Sequence, residues 1–362
     1  MSVRTEVAVI GGGPAGLSAA WVASSLGAKV LLIDENPSLG GQLIKQTHMF
    51  FGSKIHYCGV RGIDIARILE DLARDSGVQI IVDSTVIGLY DTMTLGVLKE
   101  EEFVEVEAKK VIVAAGATEK MLAFPNNDLP GVYGAGAVQT LMNVYGVRPG
   151  RRVLMVGSGN IGLIVSYQLL QAGVEVAAVL EAVPSIGGYW VHAAKIKRCG
   201  VEILVSHSIK EAIGEECVQG AVIVKLDENW TYIPGTERQI DCDTICIAVG
   251  LSPLSEVLHQ SGCELTHLPE LGGWVAVHDS NMETTREGIY VAGDASGIEE
   301  ACTAMLEGRI AGSHAALSLH PSRKEKANRI AEEARLELAA FRAGPFGEMA
   351  ITGKRKMSEY VQ

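Results

Sequence analysis

The apolar residues of this chain fall into short unbroken runs, each stopped by glycine or an acid, and one figure built from such runs occurs twice. Val7-Ala-Val-Ile10 is apolar throughout and stops at Gly11-Gly-Gly13-Pro14-Ala15-Gly16. A run of this length bounded by turn residues reads as a strand covered on both faces, as in a parallel sheet. The residues from Pro14 read as a helix with proline in its first turn. Val30-Leu-Leu-Ile-Asp34 then reads as a second buried strand ending in an acid. The figure returns as Arg152-Val-Leu-Met-Val-Gly157-Ser-Gly159-Asn160-Ile161-Gly162, a helical stretch, and Val174-Glu-Val-Ala-Ala-Val-Leu-Glu181. Each copy has a closing strand that ends in a small residue and glycine: Lys110 to Ala115-Gly116, and Thr244 to Val249-Gly250. A further strand, Glu287-Gly-Ile-Tyr-Val-Ala-Gly293-Asp294, precedes a helix expected over about 298–316. Residues 322–342 follow a helical period, with Ile330, Ala334, Leu338 and Phe341 on one face.

Turn formers punctuate the chain at Phe124-Pro125-Asn-Asn-Asp-Leu-Pro130-Gly131, at Pro149-Gly150 and at Leu251-Ser-Pro253. They predict a first domain over 1–128, a second over 129–250, and a return over 251–320 that completes the first. Residues 321–362 read as a C-terminal helix and tail, either a candidate partner contact or a helix that packs back on the first domain.

The glycine spacing has a chemical reading. Gly11 makes the tight turn, Gly13 lets a pyrophosphate approach the backbone, and Gly16 lets helix and strand pack closely. The helix N-terminus beyond Pro14 and Ala15 offers N–H groups to the phosphates. Asp34, with Glu35 beside it, stands where a ribose hydroxyl needs an acceptor. Gly157, Gly159, Asn160, Ile161, Gly162 and Glu181 repeat the arrangement for a second nucleotide. No Arg lies within 182–190 to receive a 2′-phosphate, so the second site suits NAD or another adenine nucleotide, ATP included, better than NADP.

Composition narrows the class. The chain has 362 residues, 48% hydrophobic and 20% charged, as in a folded globular protein. A net charge of −12 argues against nucleic acid as a partner. Residues 7–33 are apolar enough to mimic a membrane helix, but the glycines and Pro14 explain them better. No transmembrane segment is expected, and the location is read as cytoplasmic. The seven cysteines, none in a CxxC, agree with that compartment. No metal site is expected.

These landmarks, in this order, resemble the two-dinucleotide-binding-domain flavoproteins, the glutathione and thioredoxin reductase superfamily. The resemblance covers about residues 4–318. It implies an α/β fold of two Rossmann-like domains, the FAD domain interrupted by the nucleotide domain. A thioredoxin-type CxxC and a C-terminal dimerisation domain are not expected. It carries Gly11, Gly13, Gly16 and Asp34 onto the FAD fingerprint and Gly293-Asp294 onto a second FAD motif. Gly41, Gln42, Ala115, Gly116 and Ala301 are further expected FAD neighbours. Gly40-Gly-Gln42-Leu, Pro130-Gly-Val-Tyr-Gly-Ala-Gly-Ala-Val-Gln139 and Gly146-Val-Arg-Pro-Gly150 resemble one branch. That branch holds the nucleotide-binding α subunits of heteromeric amine-oxidising dehydrogenases: proline and hydroxyproline dehydrogenase, opine dehydrogenase, hydrogen cyanide synthase and sarcosine oxidase.

The chain departs from the disulfide reductases where chemistry matters. Leu43 and His48 stand where one reductase type keeps its cysteine pair, and residues 59–198 hold no cysteine. Cys302 opens the 298–316 helix, as a thiol of lowered pKa or as a small packed side chain. A glutamate common beside the nicotinamide is Ile164 here. Lys45, Gln46 and His48 are the candidate catalytic residues near the flavin. Lys45 would act by charge, and His48 as a proton carrier or a hydrogen-bonded loop residue. Glu299 and Glu300 read either as flavin-edge groups or as ordinary first-turn acids. The expected function is an electron-transferring subunit of an amine or amino-acid dehydrogenase. Its expected partners are a second flavoprotein and a small iron–sulfur subunit, with any FMN or iron–sulfur cluster at or in those partners. The alternatives are a stand-alone NADH-dependent flavin oxidoreductase and a nucleotide-binding structural subunit.

Overall fold

Every residue of Val7–Ile10 and Val30–Ile33 is buried. In the computed structural model, which describes residues 2–51, 54–344 and 347–360, the two runs lie side by side in a five-stranded parallel sheet. Its order is Ile289–Val291, Lys110–Val113, Val7–Ile10, Val30–Ile33, Gln79–Ile81. Parallel neighbours need crossovers, and helices α1 (Pro14–Ser25) and α2 (Gly62–Asp75) supply two of them. Alternate side chains go to opposite layers. Val7, Val9, Val30, Leu32 and Ile112 pack with the helices, and Ala8, Ile10, Leu31, Ile33, Val111 and Val113 pack on a second sheet. That sheet runs Ser2–Arg4, Glu102–Glu107, Thr94–Lys99, Ser84–Tyr90.

Residues 119–251 form a second unit, and the first comprises residues 1–118 with 252–362. The second unit repeats the plan. Its parallel sheet is ordered Val132–Gly134, Thr244–Ile247, Arg152–Val156, Glu175–Glu181, Ile203–Val205. Val153, Met155, Val179 and Cys246 face helices α3 (Ala135–Asn143), α4 (Asn160–Gln171) and α5 (Trp190–Arg198). Leu154, Val156, Leu180, Ile245 and Ile247 face an antiparallel sheet of His207–Ile213, Gly220–Lys225 and Arg238–Asp241. The chain leaves the first unit within the short strand Ala117–Glu119 and returns within Leu251–Pro253.

The turn-rich segment 124–131 is therefore not the crossover. Phe124 is buried in the second unit's core. The Pro125 carbonyl accepts from Ala212 N–H at 3.1 Å, and the Asn126 amide donates to the Ala212 carbonyl at 2.9 Å.

Among the described residues, four α-helices follow the return: α6 (Glu256–Gln260), α7 (Ala301–Leu319), α8 (Lys324–Arg342) and α9 (Glu348–Ser358). A Cβ on Gly308 or Gly312 of α7 would overlap the carbonyl oxygens of Ala15 and Ala19 on α1. The two helices touch backbone to backbone. Of the two readings of the tail, the contacts match packing on the chain's own first unit. Ala327, Ala331, Ala334 and Leu338 of α8 are buried, and Ala327, Ala334 and Leu338 belong to the first unit's helical core, with Ile330 and Phe341 packed against it. Small residues at successive turns let α8 lie close, so the apolar stripe is spent within this chain. Residues 345, 346, 361 and 362 of the proposed tail lie outside the described residues. Among the described residues no helix is long and apolar enough to cross a membrane.

The α1–α7 contact is testable. Gly308→Val should cost about 1–3 kcal/mol or more by overpacking, read as a lower urea midpoint. A variant as stable as the wild type would show that the helices do not meet there.

Candidate functional site

At the end of Val7–Ile10 the chain must turn sharply to start α1. Gly11 does so at φ 97°, a left-handed value that side chains resist. A Cβ on Gly16 would overlap the Gly11 carbonyl oxygen, so α1 rests directly on the turn. Gly13 is different. A Cβ there would have only the Gly41 Cα near it, at 3.9 Å, and one on Gly116 would have nothing within 4 Å. The N–H groups of the first helical turn lack intrahelical partners. An open glycine face beside them fits the pyrophosphate of FAD.

Asp34 does not stand open to a ribose. It is 6% exposed. Its Oδ2 accepts from Gly12 N–H at 2.5 Å, and its Oδ1 from the Asn36 backbone and side-chain N–H groups at 2.8 and 3.0 Å. This carboxylate braces the glycine turn. The exposed acid at the strand end is Glu35.

Gly40 N–H donates to the Gly12 carbonyl at 2.8 Å, and Gly41 abuts Gly13. A short 3-10 turn, Gly41–Lys45, leads away. Gln42 is exposed, while Lys45, Gln46 and His48 are half-buried on one loop. The His48 ring stacks on Phe50, with centroids 5.8 Å apart. The Gln46 Oε1 is buried without a hydrogen-bond partner among the described residues. An unmet acceptor in such a place suits a ligand's donor.

At the end of Ile289–Val291 comes the turn Gly293–Ser296. Burial raises the Asp294 carboxyl to about 6, with Glu307 and Glu299 adding to the rise against the Glu299 backbone N–H. Helix α7 begins at Ala301 and is closed by a capping box. Thr303 Oγ1 accepts from Glu300 N–H at 3.1 Å, and the Glu300 side chain takes the reciprocal backbone bond. Glu299 accepts a two-pronged bond from Arg342, at 3.0 and 2.5 Å. Both acids thus have structural partners. Burial pushes the Cys302 thiol up to about 12, which makes it a packed side chain rather than a nucleophile.

Pattern reading missed a buried ionic cluster under this turn. Glu307 is 2% exposed. Its Oε2 accepts from Gly293 N–H at 3.0 Å and from Ser296 Oγ at 2.7 Å. Its Oε1 pairs with Arg342 at 2.7 Å and Lys354 at 3.1 Å. Lys354 also donates to His278 Nε2 at 3.2 Å, while His278 Nδ1 lies 2.8 Å from the Ala276 carbonyl. The His278 proton therefore sits on Nδ1. The signal was a lone glutamate following the small, apolar stretch Ala301 to Leu306.

The second unit carries a matching cradle. Gly157 has φ 112°, and a Cβ on Gly162 would overlap the Gly157 carbonyl oxygen. A Cβ on Gly159 would meet nothing within 4 Å, so this face too fits a pyrophosphate. Glu181 Oε2 accepts from Ser158 N–H at 3.0 Å and Ser158 Oγ at 2.6 Å, as Asp34 does from Gly12. Asn160 Oδ1 accepts from Tyr189 N–H at 2.8 Å, and Gly188 N–H donates to the Ser158 carbonyl at 2.9 Å. Ile161 is spent on the helical core. The loop Pro184-Ser-Ile-Gly187-Gly188 repeats Pro37-Ser-Leu-Gly40-Gly41 at the same distance from its acid, a repeat the fingerprint alone does not show.

Residues 5–308 match the family described as pyridine nucleotide-disulphide oxidoreductase, and the chain belongs to that family. An opine oxidase subunit of Agrobacterium tumefaciens (strain Ach5) is 30% identical over 327 residues, covering 84% of this chain and 64% of that protein. The chain thus spans less than two thirds of that protein's length. Hydrogen cyanide synthase subunit HcnB of Pseudomonas protegens is 28% identical, covering 84% and 68% of the two chains. The crystal structure of L-proline dehydrogenase from P. horikoshii matches with a TM-score of 0.70 at 25% identity, over 92% of this chain and 59% of that one. The resemblance drawn from Gly40-Gly-Gln42 and Pro130 to Gln139 is borne out.

His278 gives a pH test. Burial, then the Lys354 charge, lowers its imidazole to about 3. The unfolded chain takes up that proton near 6.5, so the stability His278 confers is full above 6.5 and is lost as pH falls toward 3. His278→Gln should lose less stability than wild type between pH 6.5 and 5. Equal slopes would show that the native imidazole titrates freely.

Proposed function

We propose that this chain is the FAD- and adenine-nucleotide-binding, electron-transferring subunit of a multisubunit dehydrogenase or oxidase. Its substrate class is an amino acid or secondary amine, of opine, proline, hydroxyproline or sarcosine type. One observation supports the reading: among the described residues, the Gly11–Gly16 turn that would take the flavin nucleotide has no pair of cysteines beside it. Leu43 and His48 occupy one place for such a pair, and Cys302 is buried with its thiol far above neutral pH. The names of the relatives, subunits of opine oxidase and hydrogen cyanide synthase, point the same way.

When bound, FAD would supply reversible two-electron acceptance. The chain's own part is binding, orientation and charge. Gly11 to Gly16 and the start of α1 would hold the pyrophosphate, Glu35 a ribose hydroxyl, and Asp294 the ribityl end. Lys45 would offer a cation beside the ring, and His48 a proton carrier. Gly157 to Gly162 with Glu181 would hold NAD, or ATP, in the second cradle. A second flavoprotein would hold the substrate, and a small iron–sulfur subunit would complete the electron path. The intact second cradle also keeps a stand-alone NADH oxidoreductase as the alternative reading.

Co-purification from the native host, followed by amine oxidation assays with and without the partners, tests the proposal. The isolated chain should reduce dyes at most. Full amine turnover by it alone would overturn the subunit reading, and rapid flavin bleaching by NADH alone would favour the alternative.

Two variants test the cradles. Gly13→Val should fold but lose FAD, since a side chain fills the open face. A yellow Gly13→Val protein would refute the assignment. Calorimetry should show NAD or ATP binding more tightly than NADP at the second site, with Glu181→Gln narrowing the gap. Tighter NADP binding by the wild type would exclude the proposed role of Glu181.

A further inference from the structure

We propose that helices α8 and α9 brace the FAD cradle, with Arg342 and Lys354 as positioning residues that fix the Gly293–Ser296 turn through Glu307. This rests on the reading that the turn holds FAD. Glu307 is the hub. One oxygen receives the turn's own donors, Gly293 N–H and Ser296 Oγ. The other faces both cations. Lys354 reaches the turn directly as well, donating to the Ser296 carbonyl at 3.0 Å and to Ser296 Oγ at 2.9 Å. Arg342 reaches it a second way, through its fork to Glu299. The Glu299 backbone N–H in turn lies 3.4 Å from Asp294 Oδ1.

The helices that carry the two cations are both packed on the first unit. Helix α9 is seated on the Pro269–Leu271 turn. A Cβ on Gly353 would stand 2.5 Å from Leu271 Cγ, Met357 is buried with Leu268, Leu271 and Val275, and Lys356 pairs with Glu270. Helix α8 is seated on the first unit's core through its alanines. Glu307 and Glu299, with the buried Asp294 carboxyl beside them, face the two cations Arg342 and Lys354. Removing one cation leaves a buried carboxylate short of a partner, a strongly destabilising change. The acceptor of the turn's N–H and hydroxyl, Glu307 Oε2, is then held in place by one cation instead of two.

The test is a titration of apoprotein with FAD, followed by flavin fluorescence, with circular dichroism to confirm folding. Lys354→Met should raise the FAD dissociation constant by about tenfold or more, and tenfold corresponds to about 1.4 kcal/mol. The Glu307 carboxylate, left with Arg342 as its one cation, should also shift the flavin midpoint potential negative. Adding Glu307→Gln to Lys354→Met removes the excess negative charge and should move both readings back toward wild type, as coupled neighbours do. If Lys354→Met does not fold, Arg342→Lys carries the test, because it keeps the charge and loses the fork. Wild-type affinity and potential in Lys354→Met, or in Arg342→Lys where that is the usable variant, overturns the brace. Retention of FAD by Gly13→Val would instead overturn the cradle itself, so the two failures are distinguishable.

Discussion

Both halves of this protein depend on a helix set down directly on a carbonyl oxygen. Gly16 over Gly11 and Gly162 over Gly157 leave no room for a side chain. That contact brings the first turns of α1 and α4 to the ends of their strands, where the outward faces of Gly13 and Gly159 stay open. Everything else about the cradles follows from this approach. The neighbouring strand ends in an acid, and the acid is used to hold the turn: Asp34 on Gly12, Glu181 on Ser158. A carboxylate in this position costs desolvation, which charge-assisted bonds from backbone N–H groups offset.

The repeat runs deeper than a shared motif. In each unit a parallel sheet sends alternate residues to helices and to an antiparallel or mixed sheet, so each strand is apolar on both faces. In each unit a Pro-Ser-aliphatic-Gly-Gly loop returns to the glycine turn. The halves diverge just past the acid. Exposed Glu35 follows Asp34, whereas Ala182 follows Glu181. The first glycine turn therefore has one carboxylate that braces it and an exposed second one beside it, while the second turn has Glu181 followed by an alanine.

Much of this was legible in the chain because its signals are local. Continuous apolar runs, glycine spacing and terminal acids depend on neighbours in sequence, and each strand they mark is present. The role of Asp34 was not legible, since spacing places a carboxylate near a ribose without saying which N–H groups reach it first. The crossover at 117–119 escaped because three residues carry little pattern, while Phe124 to Gly131 carry strong turn chemistry inside the second core. Which of the two readings of the tail holds was not legible for a related reason. An amphipathic period shows that one face of α8 is covered, not by what. Arg342, Lys354 and Glu307 come together only through the packing of three helices, although a single acid near the apolar start of α7 was a visible clue.

The division of the chain also sets an order of assembly. Residues 119–251 are continuous and hold all five strands of their own parallel sheet. The flanking unit lacks its edge strand Ile289–Val291 until late, and α7 must still close on α1. During synthesis, which proceeds from the N-terminus, the inserted unit is complete first. The strand Val7–Ile10 and helix α1 wait with an apolar face uncovered until residues made some three hundred positions later arrive to seal it. A nascent chain stalled before α7 would hold a finished second cradle and an unfinished first one, and would be vulnerable to aggregation through that uncovered surface.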